Sequence, residues 1–232
     1  ALKPERIIIG CSNSQNKIRK KLKNYLDCFK CPIFKMKYES AELAKISINM
    51  YLISSITITN LLCQICEKTS AKWSEISPSL QLDKRIGKYA YLKPGLGISG
   101  GNLERDLNTI TKICKENSIN SNLFELWKKK SNYYRQWVLR KFEKVVKRNK
   151  VSKIAILGLA YKANTDSTKN SPSIMIINKL KSKYKIKAYD PIVKKKSYTN
   201  VNFVTSIFEA LRDSEILFIM TPWKEFENLP AT

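Results

Sequence analysis

The stretch from Ile46 to Cys63 carries no charged residue in a chain where 27% of residues are charged, and no other feature restricts the available folds as much. A run of this length and character is either a membrane span or a helix covered by protein. It holds Ser47, Asn49, Ser54, Ser55, Thr57, Thr59 and Asn60, whose polar groups are costly to bury in lipid without partners. The reading is therefore a buried helix in the core of a soluble protein. Ser40 is a suitable N-cap, and Leu43, Ile46, Met50 and Ile53 carry the helical period onward to about Lys68.

The rest of the chain falls into place around that helix. Ahead of it, Ile7 to Gly10 reads as a short buried strand with nothing before it to pair against, Asn13 to Phe29 as a surface helix, and Cys31 to Phe34 as an extended piece. Residues 1–38 are thus expected to be the tail of a further domain. Behind the long helix, a second is expected over Leu103–Asn117. A third starts near Ser121, with Phe124, Trp127, Tyr134, Val138, Phe142 and Val145 forming one stripe on a basic rod. Residues 39–150 then form an all-α central domain that ends in a long connecting helix. At Val151 the period changes: strands over 153–158, 185–190 and 216–221 alternate with helices over 173–181 and 206–213. That alternation predicts a doubly wound, Rossmann-like α/β domain over 151–232, continuing past Thr232, and an α/β class overall.

Composition narrows the function classes less sharply. A net charge of +24 would suit any polyanion. The lysines occur in nearly every segment, however, which is the pattern of a solvated surface. Trp127, Tyr134 and Trp137 on the basic Lys128–Lys150 stretch could stack on bases, but they serve an apolar stripe equally well, so no nucleic-acid partner is expected. Of the six cysteines, Cys28/Cys31 and Cys63/Cys66 have C-x-x-C spacing. Cys63 and Cys66 fall inside the helical pattern and histidine is absent, so no metal site is expected and free thiols in a cytoplasmic protein are the default. No segment has the order of a signal peptide, and no membrane partner is expected.

Chemistry concentrates in three places. Only seven glycines occur in the chain, yet Gly95, Gly97, Gly100 and Gly101 cluster immediately before a helix start. There the backbone can approach a ligand and the helix dipole favours an anion. Lys45 and Asn49 project from one face of the long helix. After the first α/β strand, Gly158–Ser173 holds one glycine and a long loop, which is not the dinucleotide G-x-G-x-x-G fingerprint, but Lys162 and Lys169 could hold phosphate.

Taken in order, Ser40–Lys45 with Asn49 and Asn60, Arg85–Gly87, Pro94–Asp106 with its spaced glycines, Gly158–Lys162 followed by Thr165 and Asp166, Ser171–Ser173 and Tyr189–Pro191 resemble the UDP-glucose/GDP-mannose dehydrogenase family. The resemblance covers nearly the whole chain and implies an NAD-dependent nucleotide-sugar 6-dehydrogenase. Such an enzyme oxidises the C6 hydroxyl of a UDP-sugar or GDP-mannose to the uronic acid, for polysaccharide precursors, through an aldehyde and a cysteine thioester. It implies a homodimer built on the central helices, with Pro4–Gly10 closing an NAD-binding domain whose glycine fingerprint lies outside this sequence.

By the same resemblance, Lys45 stabilises an oxyanion, while Asn49 and Asp106 hold water and assist proton transfer. Arg85, Tyr91, Leu92, Lys93, Gly97, Gly100, Leu103, Tyr161 and Lys162 surround the nucleotide sugar, Arg85 reaching that of the neighbouring subunit. Lys169 stands where the family has an arginine on the cofactor side. The family's cysteine falls at position 102, where this chain has Asn102, flanked by Gly101 for the usual serine and by Glu104 and Arg105 for Pro-Lys. An amide cannot form a thioester, so a catalytically impaired homologue that binds nucleotide sugars is the alternative.

Overall fold

A computed structural model describes residues 3–13, 17–193 and 201–229. The chain divides into two compact units, Ala1–Tyr51 and Leu52–Thr232. In the first, strand β1 (Ile7–Cys11), helix α1 (Lys20–Asp27) and strand β2 (Ile33–Lys37) precede helix α2 (Tyr38–Cys66). Strand β1, with nothing before it to pair against, pairs in parallel with the extended piece that follows it, β2, with Ile7 opposite Ile33 and Cys11 opposite Lys37. The expected Asn13–Phe29 helix is shorter. It starts only at Lys20, and residues 14–16 lie outside the described ones.

Helix α2 begins directly off β2 and is long and apolar enough to cross a membrane. Its interior burial is one-sided, which corrects the expectation of a helix enclosed in a core. Met50, Ile53, Thr59 and Asn60 are buried, whereas Tyr51, Ile58, Leu62 and Ile65 face out. A 3.6-residue period puts those two sets on different faces.

In the second unit follow α3 (Trp73–Leu82), α4 (Asn102–Glu116), α5 (Asn122–Arg135) and α6 (Trp137–Val146). Helix α3 was not legible in the sequence because Pro78 sits inside it. The expected single connecting helix is two, broken at Gln136. A physical cause lies at Tyr133, whose carbonyl accepts from the Arg140 guanidinium at 2.7 Å and from the Gln136 N–H at 3.2 Å instead of continuing the i to i+4 ladder.

Four strands, β3 (Lys153–Leu157), β4 (Lys185–Tyr189), β5 (Val201–Phe203) and β6 (Ile216–Ile219), with helices α7 (Pro172–Leu180) and α8 (Ile207–Leu211), complete the chain. The strand order is β5-β4-β3-β6, all parallel. Both faces are covered, as parallel sheets require. Ile154, Ile156, Ile186, Ala188 and Phe218 pack with Ile176 and Ile177 of α7 and with Leu139 and Phe142 of α6. Leu157 on the opposite face packs with Ala210 of α8, Trp223 and Phe226. The Phe142 ring meets Phe218 edge-on at 5.4 Å, so α6 is fastened to the sheet that follows it.

Candidate functional site

The glycine-rich loop is not a slack connector, because it is stitched along its length to its surroundings. The Tyr91 carbonyl accepts from the Thr59 hydroxyl at 2.9 Å, and the Leu92 carbonyl from the Trp73 indole at 2.8 Å. The Gly95 N–H donates to Asn60 Oδ1 at 2.8 Å and the Ile98 N–H to Ser131 Oγ at 2.8 Å. Gly97 sits against the Ser131 carbonyl, and the Ile98 carbonyl accepts from Arg135 Nε at 2.9 Å. Each bond satisfies a loop backbone group that would otherwise need water. The loop therefore presents a fixed backbone face, while the Tyr91 and Lys93 side chains are exposed and Leu92 is half-buried.

Its far end meets the turn after β3. Gly100 has φ +79°, and a Cβ there would come within 2.9 Å of the Tyr161 ring, so only glycine lets this backbone and ring approach. Ser99 Oγ donates to the Tyr161 carbonyl at 3.4 Å, and Asn170 Nδ2 to the Gly100 carbonyl at 3.1 Å. Lys162 Nζ lies 5.6 Å from the centre of the Tyr161 ring and its side chain is exposed. Of the sequence-predicted residues, Gly100, Tyr161 and Lys162 are thus brought together, while Gly97 on the same loop packs against Ser131. The Lys169 side chain lies about a van der Waals contact from Gly101, beside the start of α4.

Asn102 is the first residue of α4 and is exposed. Leu103 is half-buried, and Asp106, one turn on, is buried. Residues four apart share a helix face, and the Asp106 carboxylate accepts from Arg105 Nε at 3.0 Å. Lys45 (exposed) and Asn49 (buried) lie one turn apart on α2 in the unit Ala1–Tyr51. Arg85 is exposed and grips its own neighbour, with Nε and Nη2 donating to Asp83 at 3.0 and 2.7 Å. That pairing, with the Arg85 backbone N–H, holds the Asp83 carboxyl below the usual range.

All six cysteines are free. Burial first, then the nearby Glu67 and Cys66, push the Cys63 thiol up, away from the low-pKa setting of a reactive thiolate. Among the described residues no cluster of His, Cys, Asp and Glu could hold a metal ion.

Sequence reasoning quoted Asp190 only within a motif and gave it no role, yet it organises the turn that carries Tyr161. Its buried carboxylate accepts from the N–H groups of Leu159 (2.7 Å), Ala160 (3.0 Å), Ile192 (3.0 Å) and Val193 (2.9 Å), and from the Trp223 indole (3.2 Å). Burial pushes its carboxyl up, but the four backbone donors outweigh burial and the net direction is down. A group depressed in the folded state stabilises above the unfolded carboxylate value of about 4, and that stability is lost as pH falls through the folded value. The urea midpoint is therefore expected to drop as pH falls below about 4, and Asp190→Asn to remove this component of the slope. An unchanged slope in the variant would refute the assignment.

Ser131, Arg135 and Asn170, which anchor the loop, were also missed. Their sequence context is that of ordinary surface positions, and only Asn60 left a trace, as an amide in the uncharged run.

The family model for the UDP-glucose/GDP-mannose dehydrogenase family, central domain, matches residues 39–133, and that for the same family's UDP binding domain matches 155–232. A UDP-glucose 6-dehydrogenase of Rickettsia bellii is 32% identical over 98% of this chain and 54% of the relative. The UDP-glucose 6-dehydrogenase TuaD of Bacillus subtilis is 29% identical over 97% of this chain and 49% of the relative. The chain spans about half the length of the curated relatives it matches. A solved UDP-glucose dehydrogenase from the archaeon Pyrobaculum islandicum superposes with a TM-score of 0.87 at 23% identity, covering 100% of this chain and 54% of the other, which shows that the fold is shared.

Proposed function

The chain belongs to the UDP-glucose/GDP-mannose dehydrogenase family, and from that premise we propose that it is the nucleotide-sugar-binding part of an NAD-dependent 6-dehydrogenase. The observation that carries the reading is the seam between the pinned glycine loop and the Tyr161–Lys162 turn, held by Gly100 against Tyr161 and by Asn170 on the Gly100 carbonyl. Backbone groups fixed in this way suit a polar ligand, and Lys162 adds a charge for a diphosphate. In this reading residues 1–38 close a cofactor domain, 39–150 form the central domain and 151–232 the nucleotide-sugar domain.

Roles follow the motif positions. Arg85, Tyr91, Leu92, Lys93, Gly97, Gly100, Leu103, Tyr161 and Lys162 bind the nucleotide sugar. Lys45 stabilises an oxyanion, and Asn49 and Asp106 order water. NAD, when bound, supplies the hydride acceptor. Lys169 beside Gly101 fits an anionic portion of that cofactor, though as a point charge without the fork of an arginine. The outward Ile58, Leu62 and Ile65 of α2 form a stripe at helical spacing that suits a homodimer.

A binding homologue that does not complete the oxidation is the second reading, and Asn102 favours it. Calorimetric titration separates the possibilities. UDP-glucose or GDP-mannose is expected to bind, and Lys162→Ala to weaken binding about tenfold, the scale of one charge-assisted contact. Absence of any nucleotide-sugar binding would end both readings. This chain alone is not expected to turn over, so NADH formation is assayed in the full-length protein, where binding without NADH in the presence of NAD would leave only the second.

A further inference from the structure

A cavity of about 460 Å³ opens between the C-terminal end of α2, the Pro94–Leu96 part of the loop and the α5–α6 junction. None of the residues assigned above to substrate, cofactor or catalysis lines it. We propose that it binds a nucleoside phosphate at a site separate from that of the nucleotide sugar.

Charge, ring surface and an unmet donor support this together. Lys68, Arg140, Lys141 and Lys144 line the cavity against one acid, Glu67. Glu67 is already engaged, accepting from Lys141 at 3.0 Å and from the Trp137 indole at 3.2 Å. Three cations are left over, which selects a ligand carrying more than one negative charge rather than a simple carboxylate. Arg140 is pre-oriented by stacking 3.8 Å over the Tyr133 ring, which leaves donors of its guanidinium fork for a phosphate.

Trp137 adds an aromatic wall on which a base can stack. Asn60 also lines the cavity. Its Oδ1 is taken by the Gly95 N–H, but its Nδ2 is buried and, among the described residues, is the buried side-chain atom without a hydrogen-bond partner. Such a donor is expensive to leave unmet; it is closed off by the cavity wall, and a small shift of that wall on binding would offer it to the carbonyl or ring nitrogen of a base. The volume falls in the range of small-molecule sites.

The test uses adenosine monophosphate as the probe, titrated calorimetrically and by tryptophan fluorescence. Saturable binding is expected, with quenching that is lost in Trp137→Phe. Lys144→Ala, at an exposed position where folding is not at risk, and Arg140→Ala should each weaken it about tenfold or more. Lys162→Ala should leave it unchanged, which separates this site from the nucleotide-sugar site. The proposal is overturned if the nucleotide does not bind, if Lys162→Ala abolishes binding while Lys144→Ala does not, or if inorganic phosphate binds as tightly.

Discussion

Gly158→Ala is expected to cost roughly 3–7 kcal/mol, a large part of the 5–15 kcal/mol that holds a domain folded. Gly158 ends β3 with φ +91°, and a Cβ there would lie 2.5 Å from Thr221 Cβ, 2.6 Å from its Oγ1 and 2.7 Å from its backbone nitrogen. Thr221 is fully buried and donates to the Ala160 carbonyl at 2.7 Å, so it has no room to yield without breaking that bond. Backbone strain of about 1–3 kcal/mol adds to a similar overpacking term and to about 1 kcal/mol for the hydrogen bond. Gly95→Ala is the control, since nothing lies within 4 Å of its Cβ position and its φ is ordinary; it should be close to neutral. Urea unfolding of the two variants would decide the matter, and a Gly158→Ala loss below about 1 kcal/mol would show that the β3 turn relaxes freely.

The contrast between those two glycines also marks what the sequence could and could not reveal. Scarcity drew attention to Gly95–Gly101, and the strand-helix alternation after Val151 placed β3, β4 and β6 within a residue or two, because apolar period is a local property. What escaped is non-local. Helix α3 hides behind Pro78, and β5 is only three residues long. The break at Gln136 depends on Arg140 reaching back to Tyr133, which no period records. The pinning of the loop by Ser131, Arg135 and Asn170 depends on where three separate segments meet. Asp190 shows the same limit: a strand-end aspartate is common, and its five donors become visible only when the turn after β3 folds over it.

In the full-length protein, Asn102→Cys is expected to switch the outcome from no detectable acid to acid formation, given NAD and a nucleotide sugar, with two NADH formed for each sugar consumed. Removing a catalytic nucleophile from an enzyme that depends on one costs on the order of 10⁴-fold or more, and in the proposed reading an amide at position 102 represents that loss. The surroundings are suited to a thiolate. Position 102 opens α4 directly after Gly101, where unpaired backbone N–H groups and the helix dipole favour negative charge, and the Lys169 side chain lies against Gly101. The introduced thiol should therefore be alkylated by iodoacetamide faster than Cys63, whose thiol is pushed up by burial. Two measurements read the result: peptide mass spectrometry for the alkylated position, and product analysis for the carboxylate. If the introduced thiol alkylates rapidly but no acid forms, the remaining groups no longer support the second oxidation and the chain is a binding homologue. If it alkylates no faster than a buried cysteine, the start of α4 does not supply the electrostatic setting that the family's chemistry requires.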